Sequence, residues 1–187
     1  MLELFAWWFK VKGWKIDEQS SLDIKRGIMI AAPHTSNWDF VYALGALKLM
    51  NIPVQYLAKK ELFRPPLGWL LKASGGIPVE RKKNTKFVDV ITEKFKEHQD
   101  LILMMAAEGT RKRVEKWKTG FYYAALNANV PVYPAYLDYR KKMAGIGPAI
   151  WLTGNKDQDA RTLRTFYRDK DAKFPVMFNI DAIRFSE

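Results

Sequence analysis

Short apolar runs alternate along this chain with segments whose apolar positions recur at helical spacing. Ile28–Ala32, Val54–Leu57, Ile77–Val79, Leu101–Met105, Val132–Tyr136 and Ile150–Leu152 read as strands. Between them, Phe40–Met50, Leu67–Ala73, Thr85–His98 and Thr119–Asn127 read as helices. The third shows the pattern well, with Phe87, Val88, Ile91 and Phe95 on one stripe and Lys94, Lys96 and Glu97 turned away. Near the end, the charge-dense stretch Lys156–Lys173 suits a solvated helix, followed by Pro175 and an apolar strand at Val176–Ile180. Strands alternating with helices predict an α/β fold: a single domain over residues 1–187, with a mixed, largely parallel sheet surrounded by helices. In such a sheet, the loops after the C-terminal ends of the strands form the site.

The first residues, MLELFAWWFKVKGW, form a helical stripe of Leu4, Trp7, Trp8, Val11 and Trp14, widened by Phe5 and Phe9. Lys10, Lys12 and Lys15 lie close by, and Gly13 weakens the helix end. Trp beside Lys suits a helix lying in a membrane interface, over residues 1–16; a terminal helix packed on its own domain fits the same stripe. Glu3 stands where a secretory signal would be basic, and no small-residue cleavage site follows. No apolar run approaches the roughly 18 residues of a spanning helix. The expected location is therefore the cytoplasmic face of a membrane, as a peripheral (monotopic) protein.

Composition narrows the chemistry. With no Cys and two His, the chain offers no disulfide framework, no iron–sulfur or zinc ribbon site and no Cys nucleophile, so no metal is expected. A net charge of +11 predicts an anionic partner: nucleic acid, an acidic membrane surface or a phosphorylated small molecule.

Three segments at predicted strand ends carry candidate chemistry. Ala32-Pro-His-Thr-Ser-Asn-Trp-Asp-Phe40 places His34 and Asp39 five residues apart. A regular helix would set these about 140° apart. They meet only if His34 lies on the strand-to-helix turn and Asp39 in the first helical turn, and Pro33 favours that arrangement by barring helix at Ala32. A carboxylate-held imidazole is a general base near neutral pH. Ser36-x-x-Asp39 also reads as a capping box, which would leave His34 an ordinary turn residue. The second segment, Ala106-Ala-Glu-Gly-Thr-Arg111, leads into Lys112, Arg113, Lys116 and Lys118. The third, Gly75–Arg81, ends in Arg81-Lys82-Lys83. Both supply turns and forked or point cations suited to phosphate; each alone also reads as a solvated loop, and it is the pair of basic clusters beside a His–Asp pair that points to a phosphate-bearing substrate.

His34-Thr-Ser-Asn-Trp-Asp39 resembles the H-x4-D motif of the glycerolipid acyltransferase family, the family of the lysophosphatidic acid acyltransferases. In the same order, Gly75–Arg81 is similar to its second motif and Glu108-Gly-Thr-Arg111 to its E-G-T-R motif. Trp117-Lys-Thr-Gly120 is similar to the F-K-x-G element that follows, and Val130-Pro-Val-Tyr-Pro134 to V-P-[IV]-x-P. The chain departs from the pattern at Pro33, where many members have Asn, and at Ala106-Ala107, where Phe-Pro is usual.

The resemblance implies transfer of a fatty acyl group from a thioester, acyl-CoA or acyl carrier protein, to the hydroxyl of a lysolipid. His34 would act as base and Asp39 would orient it. Arg81, Glu108, Gly109, Thr110, Arg111 and Lys118 would shape the acceptor and phosphate site. No cofactor is implied beyond the acyl co-substrate. Backbone amides near Gly76 or Gly109 are candidate oxyanion donors, and His98 is read as a solvated residue at a helix end. A non-phosphate acceptor such as an amino-acid lipid, a silent lipid-binding relative, and a nucleic-acid module gripping bases with Phe121–Tyr123 are the alternatives; no nucleic-acid partner is expected.

Overall fold

A computed structural model describes residues 2–65, 67–79 and 84–185, with side chains omitted for 59, 67, 79 and 84–86. The elements in chain order are α1 (Leu2–Val11), β1 (Lys15–Ile16), β2 (Gly27–Ala31), α2 (Trp38–Leu49), β3 (Gln55–Lys59), α3 (Leu67–Ala73) and β4 (Gly76–Val79). After them come α4 (Asn84–Glu97), β5 (Ile102–Ala106), α5 (Gly120–Ala128), β6 (Val132–Asp138), β7 (Met143–Ile146) and α6 (Lys156–Tyr167). The strands form one seven-stranded sheet in the order β1-β7-β6-β2-β5-β3-β4. All neighbours are parallel except β6 and β7. The fold is the mixed, largely parallel α/β sheet that the pattern predicts.

The central strands are apolar on both faces because helices cover both. On β2, Ile28 and Ile30 pack with Phe95 of α4, Phe121 of α5 and Leu163 of α6. Met29 points the other way, to Leu44 and Leu47 of α2 and Leu71 of α3. That alternation follows from the two-residue period of a strand. The helix expected over Lys156–Lys173 ends at Tyr167.

Two expected strands are not formed. Ile150 makes only an isolated bridge to Val132, and Ile150–Leu152 adds no strand. Val176–Ile180 is replaced by 3-10 turns at Pro175–Met177 and Ile180–Ala182. Pro175 favours that first turn, and the carbonyls of Val176 and Phe178 accept from the Arg113 guanidinium instead of a neighbouring strand. Conversely, β1 and β7 escape a hydrophobic reading: one has two residues, and the other, Met-Ala-Gly-Ile, is short and carries a Gly.

α1 divides its stripe. Ala6 and Phe9 are buried against α2, and burying a Phe contributes roughly 1.5–3 kcal/mol. Leu4, Trp7 and Val11 face outward, Trp7 with 56% of its surface exposed. The close approach depends on Gly45, where a Cβ would lie 2.5 Å from the Phe5 carbonyl oxygen and 3.0 Å from the Phe9 Cβ. Gly45→Val is therefore expected to destabilise the fold by about 1–3 kcal/mol, as overpacking does. Urea unfolding of the variant checks this.

Candidate active site

Parallel register sets Ala31 at the end of β2 beside Ala106 of β5 on one side and Ala135 of β6 on the other. The His34 loop and the Glu108 loop consequently leave the same edge of adjacent strands. Asp39, in the first turn of α2, turns its carboxylate back over the loop. Its Oδ2 accepts the backbone N–H groups of Thr35 and Ser36, both at 2.8 Å, and lies 3.2 Å from Nδ1 of His34. The carboxylate reaches back to the Ser36 amide, as half of a capping box would, and also meets the imidazole, but the helix N-cap is Asn37 rather than Ser36. The reciprocal half of the box is absent, since the Ser36 hydroxyl accepts from the Trp38 N–H at 3.2 Å. With Nδ1 facing Asp39, Nε2 is the ring nitrogen left to take a proton.

The Glu108 loop is tied to this turn. Glu108 is only 3% exposed, and its Oε2 accepts the His34 backbone N–H at 2.8 Å. Burial pushes its carboxyl up to about 8, the His34 N–H opposes that, and the nearby Asp39 charge adds to it. Near neutral pH this acid therefore keeps its proton. Gly109 takes the positive φ of +69° that the turn needs, and its N–H donates to the Ala106 carbonyl at 3.1 Å.

Thr110 and Arg111 are exposed, with the Thr110 hydroxyl accepting from the Lys112 N–H. Lys118 is exposed too: its N–H donates to the Ala107 carbonyl at 2.9 Å, and its stem lies over Gly109. The E-G-T-R loop and the Trp117–Gly120 element are stitched together in this way. Trp117 itself is core. Arg81 lies outside the described residues. His98 is exposed at the end of α4. Phe121 and Tyr122 are buried and offer no platform for bases, which leaves Tyr123 at the surface.

Beneath the His34 turn lies a cavity of about 190 Å³. Met29, Phe40, Leu47, Met104, Leu137 and Ile146 line it, and His34 and Asp39 border it. Beside the same turn the surface is aromatic and cationic. Trp7, Trp8 and Trp38 form a series with ring centroids 6.3 and 6.2 Å apart. Lys12 Nζ sits 4.4 Å over Trp8, and Lys173 Nζ sits 5.3 Å over Trp38 and 5.7 Å over Phe174. The Phe174 N–H donates to the Thr35 hydroxyl at 3.2 Å, so this strip reaches the site.

The sequence reading missed Tyr139, whose hydroxyl donates to Oδ1 of Asp39 at 2.6 Å. No motif or spacing marks it: the strand read as Val132–Tyr136 runs on to Asp138 and brings the next residue out beside the β2 loop.

A buried carboxyl whose pKa rises on folding favours the protonated folded state, so stability falls as pH rises between the unfolded value and about 8. Glu108 is expected to impose a decline of up to about 1.4 kcal/mol per pH unit across that window. Glu108→Gln keeps an oxygen for the His34 N–H and should flatten the decline. Urea midpoints from pH 5 to pH 8 measure it.

A family model described as Acyltransferase matches residues 13–138, which include both the His34 and Glu108 loops. The 1-acyl-sn-glycerol-3-phosphate acyltransferase of Escherichia coli is 33% identical over 110 residues, covering 55% of this chain and 43% of that protein. The enzyme of the same name from Haemophilus influenzae is 30% identical over 122 residues, covering 62% and 49%. The chain thus spans about half the length of the curated relatives it matches. The crystal structure of the 1-acyl-sn-glycerophosphate (LPA) acyltransferase PlsC from Thermotoga maritima superposes with a TM-score of 0.58 at 15% identity, over 92% of this chain and 81% of that one, a likeness of fold. With the family model spanning well over half of its residues, the chain belongs to the acyltransferase family.

Proposed function

We propose that this protein transfers a fatty acyl group from an acyl thioester, acyl-CoA or acyl carrier protein, to the hydroxyl of a lysophospholipid or related single-chain lipid. One observation carries the reading: the His34 imidazole lies 3.2 Å from Asp39 at the border of an apolar cavity. Apolar walls suit a hydrocarbon chain, and a carboxylate-held imidazole suits removal of a hydroxyl proton.

In the proposed reaction, Nε2 of His34 takes the proton as the acceptor oxygen attacks the thioester carbonyl. Asp39 stabilises the imidazolium. The tetrahedral intermediate collapses with cleavage of the C–S bond, and the departing thiolate recovers the proton from His34. An ester and a free thiol result, and no acyl-enzyme is needed. The relatives named for 1-acyl-sn-glycerol-3-phosphate favour an acceptor carrying a phosphate. Arg111 and Lys118, on the loops beside His34, are suited to hold it, with Arg81 assigned by its motif.

The same reading puts the enzyme on the surface of an anionic bilayer, at its cytoplasmic face. Exposed Trp7, Trp38, Phe174 and Val176 (the last 74% exposed) suit the headgroup boundary, and Lys12 and Lys173 suit its charge. Among the described residues no helix is long and apolar enough to cross a membrane.

Two outcomes are expected. His34→Ala should lose at least about 100-fold in turnover. The assay is a panel of acceptors, lysophosphatidic acid among them, with radiolabelled acyl-CoA or acyl carrier protein; equal turnover by wild type and variant would remove the mechanism. Separately, Trp7→Glu combined with Val176→Glu should weaken co-sedimentation with anionic vesicles, and added salt should weaken the wild type. Binding indifferent to both changes would remove the membrane face.

A further inference from the structure

The Asp39 carboxylate has two oxygens and two different sets of donors. Oδ2 serves the Thr35 and Ser36 amides and His34. At Oδ1 the donor is the Tyr139 hydroxyl, from a residue one hundred positions along the chain and outside the motifs. A carboxylate held on one oxygen alone can still rock about its last torsion, since terminal sp³–sp² torsions are broad. A second donor at 2.6 Å fixes its plane, and with it the direction in which Oδ2 meets the imidazole.

Tyr139 is itself held at both ends. Its backbone N–H donates to the Asp171 carbonyl at 2.8 Å. Its ring meets Trp14 edge-on at 4.9 Å and Tyr42 at 6.0 Å, while Trp14 and Tyr42 stack at 4.6 Å. Burial and the Asp39 charge push the phenol well above its ordinary range, with Tyr42 adding to both, so the hydroxyl stays a donor at any working pH. The other ionisable groups at this carboxylate are His34 and, from the end of β5, Glu108.

We infer that Tyr139 is a positioning residue for acyl transfer: it fixes Asp39, and through it the orientation of His34, without touching either substrate. The inference rests on the proposed His34 mechanism.

Tyr139→Phe removes the hydroxyl and keeps the ring. Its kcat is expected to fall about ten- to a hundredfold, as loss of a hydrogen bond to a charged group predicts, with KM for both substrates retained and Tm lowered by a few degrees because one oxygen of a buried carboxylate loses its donor. In an Asp39→Ala background, followed by single-turnover kinetics, Tyr139→Phe should cost nothing further; a purely structural tyrosine would cost the same in both backgrounds. The chain has only two histidines, so ¹⁵N-histidine NMR can read His34 directly. Wild type should show the Nδ1–H tautomer, and Tyr139→Phe a mixture with Nε2–H. An unchanged kcat, a loss that multiplies with Asp39→Ala, or an unchanged His34 spectrum would each overturn the inference. The His34→Ala assay fails separately if the proposed reaction is wrong, whereas the NMR experiment needs no turnover.

Discussion

A buried carboxylate must be paid for in hydrogen bonds, and Asp39 sets the terms for everything around it. Its oxygens are matched by loop amides, an imidazole and a phenol, each drawn from a different stretch of backbone or side chain. Because the same oxygen that orders residues 35 and 36 also meets His34, the turn and the imidazole are not separable. Removing the carboxylate would free two amides and an imidazole together. Glu108 plays a parallel part from the neighbouring loop, as a largely neutral acid gripping the His34 amide. Two acidic groups thus share one small volume because burial keeps one of them uncharged.

Parallel pairing explains why these loops meet at all. β2 lies between β5 and β6, in register at Ala31, Ala106 and Ala135, so the loops after β2 and β5 leave the sheet at one level while β6 runs on to Asp138 beside them. Tyr167 adds a clamp beneath them: its buried hydroxyl serves the carbonyls of Ile30 at 3.0 Å and Ala135 at 3.2 Å. The carboxyl ends of the strands are where such folds place their chemistry.

Much of this was legible in the sequence, for physical reasons. The doubly buried strands carry long apolar runs, so β2, β5 and β6 announce themselves, and Pro33 marks where β2 must give way to a turn. The five-residue spacing of His34 and Asp39 became meaningful once that turn lay between them. Less local features were hidden. Nothing near Tyr139 signals its partner a hundred residues away. β7 carries too few apolar residues to stand out, and the end of the chain looks like a strand only if Pro175 and the demand of Arg113 for carbonyls are overlooked. The burial of Glu108 depends on a loop closing over it, which residue type cannot disclose.

Gly45 and Asp39 share one helix, six residues and so about 9 Å apart along its axis. The first holds α1 by backbone contact, and the second holds the imidazole. A helix this short is stiff, so the N-terminal segment works as a fixed footing: in the proposed membrane-bound enzyme, the distance from the plane on which its outer tryptophan rests to Nε2 of His34 is set by the protein, as a depth gauge is set before it is used.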